Sequence, residues 1–85
     1  MNRLRAHVSA CPTKDGMVLL DGRTGRYWQL NTTGAAILAA LLDGATPEDV
    51  TDRLAAACPV SHRRAAADVT ALLDQLTRAN LVSAS

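Results

Sequence analysis

Eighty-five residues, 48% of them apolar, with a formal charge of +1, make a single domain with one modest core, and lack the dense positive field that phosphate-backbone binding requires. Cys11 and Cys58 are too far apart for a CxxC metal or redox pair and are expected to be reduced thiols. No apolar h-region follows the basic start Met1-Asn2-Arg3-Leu4-Arg5, and no apolar run approaches the ~20 residues of a membrane span, so a cytoplasmic chain is expected.

From Leu4 to Ala10 apolar residues alternate with others, the period of a half-buried strand, with Leu4, Ala6, Val8 and Ala10 on one face. Pro12 is expected to end it, because proline cannot donate to a ladder, and Lys14-Asp15-Gly16 reads as a turn. Met17 to Leu20, extending to about Asp21, is a continuous apolar run of strand length, expected to be buried on both faces. Asp21-Gly22-Arg23-Thr24-Gly25 supplies a hairpin loop, after which Arg26 to Leu30 forms a third strand. In it Trp28 and Leu30 share the face turned to the helices, and Tyr27 and Gln29 the other.

Three helical patterns follow. The first, about 32–43, is capped by Asn31 or Thr32, carries Ala35, Leu38, Ala39, Leu41 and Leu42 as its stripe, and stops at Asp43-Gly44. The second, about 47–57, opens with Thr46-Pro47-Glu48-Asp49: a capping hydroxyl, a proline where its missing N–H costs nothing, and acids at the positive end of the dipole. Its buried face is Val50, Leu54 and Ala57. The third, about 62–79, carries Ala65, Val69, Leu72, Leu73 and Leu76 at helical spacing. Three strands followed by three helices predict an α+β fold with a three-stranded antiparallel sheet, winged helix-turn-helix-like with the wing placed first.

No chemistry of bond making is legible. His7 and His62 fall on separate elements with no acid spaced to either as a motif, neither cysteine sits in a nucleophile signature, and no Gly-rich phosphate loop opens a helix. No catalytic residue, metal or cofactor is expected. His62-Arg63-Arg64 sits where a DNA-reading helix would meet the major groove, which makes a small winged-helix DNA-binding regulator the alternative reading. Against it stand Asp68 and Asp74 on the same helix and a hairpin loop offering only Arg23 and Arg26. A subunit that docks on an enzyme without touching its substrate is a third reading. The third strand is the stronger signal, since it has no proline or lysine to blunt its edge and lies beside a Leu-lined helix, the arrangement that recognition of a peptide by strand addition needs.

The string Tyr27-Trp28-Gln29-Leu30-Asn31-Thr32-Thr33-Gly34-Ala35, an apolar helix, Asp43-Gly44, and then Thr46-Pro47-Glu48-Asp49-Val50 resemble the PqqD-like family, and within it the stand-alone recognition proteins of lasso-peptide biosynthesis. The likeness runs over nearly the whole chain. It implies a non-catalytic RiPP recognition element that captures the leader of a ribosomally made precursor as an added antiparallel strand on the third strand. Such a protein presents the precursor to a cysteine-type leader peptidase and then to an ATP-dependent cyclase. Carried to this sequence, the resemblance implies that Arg26, Tyr27, Trp28, Gln29 and Leu30 form the ladder, that Val69, Leu72, Leu73 and Leu76 form the pocket wall, and that Asp68 meets a basic leader residue.

Overall fold

A computed structural model describes residues 2–84. Along the chain lie β1 (Asn2–Leu4), β2 (Val8–Thr13), β3 (Gly16–Asp21), β4 (Tyr27–Asn31), α1 (Thr32–Leu42), α2 (Pro47–Ala57), α3 (His62–Arg78) and β5 (Val82–Ala84). The three strands β2, β3 and β4 form an antiparallel sheet in that spatial order, and the three helices follow it. A separate two-stranded ladder joins the chain ends, with Leu4 opposite Val82.

The single strand expected over Leu4–Ala10 is two strands. Leu4 ends β1; the Arg5 N–H donates to the Leu81 carbonyl, and a turn closed by the Val8 N–H on the Arg5 carbonyl re-aims the chain into β2. The cause is non-local: β1 pairs with a strand almost eighty residues away, a partner that alternation cannot announce. Pro12 does not end β2 either. It stands opposite Met17 inside the strand, which extends to Thr13. The Gly22 N–H donates to the His7 carbonyl, which makes those opposed residues a hydrogen-bonded pair, and alternation then makes Pro12 opposite Met17 a non-hydrogen-bonded one. The missing N–H of Pro12 therefore lies on the open edge of an edge strand, where it removes no ladder bond.

The third correction concerns β3, which is buried on one face only. Leu19 is fully buried whereas Leu20 is 45% exposed, because α1 and α3 pack on the Leu19 side. Gly16 is held at φ +152°, and a Cβ there would lie 1.9 Å from the Leu30 carbonyl oxygen, so the contact of β3 with β4 at this position depends on glycine.

Local chemistry sets the helix starts. The Asn31 side chain accepts from the Gly34 N–H at 2.8 Å, Thr46 and Asp49 form a reciprocal capping box, and Ser61 accepts from the Arg64 N–H. One core cluster gathers Leu19, Leu38, Leu76 and Leu81 under the sheet, with Trp28 and Leu30 packed against it. A second gathers Ile37, Leu41, Val50 and Val69 between the helices. Ile37 and Thr51 are buried where the expected stripes had Ala39 and Ala57, both of which are exposed. Asn80, at φ +61°, ends α3, and the Leu81 N–H closes back on the Leu76 carbonyl before the chain enters β5.

Candidate functional site

The sheet presents one unblunted edge, the outer side of β4. Asp21 faces Arg26 in register, and the Asp21 N–H donates to the Arg26 carbonyl at 2.8 Å. Alternation from that pair turns the main-chain groups of Trp28 and Leu30 inward to β3, and those of Tyr27 and Gln29 outward. Two N–H and two C=O groups thus line an edge that no other strand of the sheet covers. Arg26 lies just before β4, its N–H taken by the Thr24 hydroxyl at 3.2 Å.

Beside this edge, a cleft of about 480 Å³ separates Trp28 from Ala71, Asp74, Gln75, Arg78 and Ala79. The indole forms one wall and α3 the other. Asp74 and Arg78 are paired at 3.2 Å on the rim, both largely exposed. Residues 71, 74, 75 and 78 follow the i, i+3, i+4, i+7 spacing of one helix face, next to the buried stripe rather than on it. That face is small and polar, so a search for apolar periodicity passes over it.

The expected pocket-wall residues sit elsewhere on the same helix. Val69 and Leu76 are 1% and 2% exposed and lie in the core. Leu72 and Leu73 are half-buried and pack against both clusters. Asp68 is half-buried and pairs with Arg64 at 3.5 Å, one turn back along α3. Tyr27 is 69% exposed on the face of the sheet away from the helices, while Trp28 and Leu30 are half-buried on the helix side.

Tertiary contact supplies both histidines with the acids that spacing did not show. His7 Nε2 lies 3.8 Å from Asp21 Oδ1 and 3.2 Å from the Asn80 carbonyl oxygen, tying the hairpin loop to the end of α3. Burial pushes the Asp21 carboxyl up, but the Arg23 and Thr24 amides that donate to it, with the charges of His7 and Arg23, outweigh this and hold it below its ordinary value. His62 Nε2 is 2.9 Å from Asp52 Oδ1, an exposed link between α2 and α3. His62 and Arg64, at the basic start of α3, thus each have a carboxylate partner, on Asp52 and Asp68. Cys11 is exposed on β2 and Cys58, half-buried, closes α2; both are free thiols. Among the described residues, no group of three His, Cys, Asp or Glu side chains could hold a metal ion, and no helix is long and apolar enough to cross a membrane. A second cleft, about 410 Å³ and almost wholly apolar, lies between α1 and α2 and touches neither the β4 edge nor α3.

The family model for coenzyme PQQ synthesis protein D (PqqD) matches residues 16–82, from the start of β3 into β5. The chain belongs to the PqqD family. No curated protein sequence matches this PqqD-family chain. Two solved structures superpose on it almost end to end. One, "Lasso peptide synthetase B1 complexed with the leader peptide", is 43% identical with a TM-score of 0.92 and covers 98% of each chain. The other, "TbiB1 in Complex with the TbiA(beta) Leader Peptide", is 26% identical with a TM-score of 0.87, covering 98% of this chain and 96% of its own. The α+β winged-helix-like architecture of the PqqD-family chain is thus shared with two proteins solved in complex with leader peptides.

Proposed function

We propose that this chain is a RiPP recognition element: it binds the leader segment of a ribosomally made precursor peptide as an added antiparallel strand on β4. It performs no bond chemistry of its own. It delivers the precursor to a cysteine-type leader peptidase and then to an ATP-dependent cyclase in lasso-peptide biosynthesis. The observation that carries this reading is the open Tyr27–Gln29 edge beside the Trp28–α3 cleft, in a chain whose fold matches two leader-peptide complexes.

The register defines what the leader does there. Residues opposite Tyr27 and Gln29 exchange main-chain hydrogen bonds. The residue between them stands opposite Trp28 in a close non-hydrogen-bonded pair, and its side chain enters the cleft against Ala71 and Gln75. Arg26 flanks the ladder and Leu30 continues it. Leu72, Leu73, Val69 and Leu76 hold α3 at the right distance from behind, and Asp68 lies one to two turns upstream on α3, where a basic leader residue would reach it. The DNA-binding alternative is not favoured, since His62 and Arg64 at the start of α3 already have carboxylate partners.

Trp28 is the only tryptophan, so its emission reports the site directly. Titration with a synthetic peptide of its cognate precursor's leader should shift the emission saturably. The same titration with an N–H-blocked peptide, methylated at the backbone nitrogens that face β4, should not. Equal binding of both peptides would overturn strand addition, and no shift with either would overturn leader binding.

A further inference from the structure

Residues 33, 36, 37 and 40 of α1 and residues 50, 53, 54 and 57 of α2 each follow the i, i+3, i+4, i+7 spacing of one helix face, and the two faces line the almost wholly apolar cleft of about 410 Å³. Ile37 and Val50 form its buried floor, and the exposed Ala36 and Ala57 are too small to close it. Arg53 is its one charged member, exposed and without a carboxylate within ion-pair distance among the described residues. Asp49, one turn back on α2, is held at the helix start, where its Oδ2 accepts from the Thr46 N–H. The first turn of α1 carries no acid. A furrow between two helices has no open main-chain edge for an added strand, so side chains alone make its fit. Apolar walls with a lone cation suit an amphipathic helix that carries a carboxylate beside its apolar stripe.

The position of the cleft along the peptide path selects the partner. β4 runs from Tyr27 to Asn31, so an antiparallel peptide laid on it enters beside Asn31 and leaves beside Tyr27, where the segment to be cleaved emerges. The cleft opens at Thr32 and Thr33, directly after Asn31, and so at the other end of β4, roughly 13 Å along the strand from Tyr27. A partner seated there leaves both the peptide edge and the exit uncovered, which suits the enzyme that acts after cleavage rather than the one that cleaves. Resting on the leader-binding reading above, we propose that the α1–α2 cleft docks the ATP-dependent cyclase, through an amphipathic helix of that enzyme whose apolar stripe lies on Ile37, Val50 and Leu54 and whose carboxylate pairs with Arg53. The cyclase is thereby held on the complex while the leader is still in place and the peptidase works at the far end.

The test uses the full chain, the cognate ATP-dependent cyclase and the leader peptide. Ala36→Gln and Arg53→Glu are combined, since both side chains are exposed and both replacements suit a helix. The double variant is expected to bind the leader within about twofold of wild type, which also shows that it is folded, and to bind the cyclase at least about tenfold more weakly. Wild-type affinity for the cyclase should fall as salt rises, and this dependence should flatten in Arg53→Glu alone. Cys58 lines the cleft, so in a Cys11→Ser background its alkylation by N-ethylmaleimide should slow when the cyclase is bound and not when the leader alone is bound. Unchanged cyclase affinity in the double variant, or a wild type that does not bind the cyclase, would overturn the proposal while leaving leader binding intact. Concentration-dependent self-association of the wild type that the double variant loses would overturn it in favour of a second copy as the occupant. Failure of the wild type to bind the leader at all would remove both readings.

Discussion

Replacing Gln29 with proline separates the main chain of β4 from its side chains. The Gln29 N–H points to the open edge, so the substitution removes no bond to β3 and takes away one donor to the docked peptide. One lost hydrogen bond weakens binding by about 1 kcal/mol, and leaving a peptide carbonyl unpaired beneath the ring adds about 1–3 kcal/mol. At about 1.4 kcal/mol per tenfold, the leader Kd should rise from about 30-fold to about 1,000-fold. The fold should survive, as Pro12 already occupies the equivalent outward position on the other edge of the same sheet. Calorimetric titration of Gln29→Pro and Gln29→Ala would decide it, the alanine variant staying within about threefold of wild type. Wild-type affinity in a folded Gln29→Pro, or loss of the fold, would refute the outward assignment of this N–H.

Ala71→Met should fill the cleft facing Trp28 and raise the leader Kd at least about tenfold with little change in Tm, since Ala71 is exposed in the free protein. Gly16→Ala should destabilise by about 2 kcal/mol or more in urea titration, because its Cβ meets the Leu30 carbonyl oxygen and φ is +152°. Asp21, with its folded value below 3.8, contributes stability that is fully present above about pH 4 and is lost as pH falls through that lowered value. Urea midpoints measured from pH 5 to pH 2 should therefore show an acid decline that is shallower in Asp21→Asn.

Much of the architecture was legible because local chemistry and global packing agree. Thr46 is a cap by residue type and a cap in fact, Asn31 rather than Thr32 caps α1, and the alternation of Trp28 and Leu30 with Tyr27 and Gln29 correctly divides β4 between its two faces. What escaped the sequence depended on partners remote along the chain. β1 and β5 are three residues each and mean nothing until they meet, and Pro12 looks like a strand terminator until its edge position is known. The cleft was half visible in the same way. Periodicity marks the buried stripe of α3 but not how the helix is rotated against β4, so it led to Val69, Leu72, Leu73 and Leu76 and not to Ala71, Asp74, Gln75 and Arg78. Which amides of β4 lie open likewise required the register against β3, anchored by the single bond from Asp21 to Arg26.

Amide hydrogen exchange, resolved by residue with and without the leader peptide, tests strand addition on β4 most directly. In the free protein Trp28 and Leu30, bonded to β3, should exchange slowly while Tyr27 and Gln29 exchange fast; on saturation with leader, Tyr27 and Gln29 should join the slow set. Fast exchange at Tyr27 and Gln29 in the saturated complex would contradict the account, as would slow exchange there before any peptide is added.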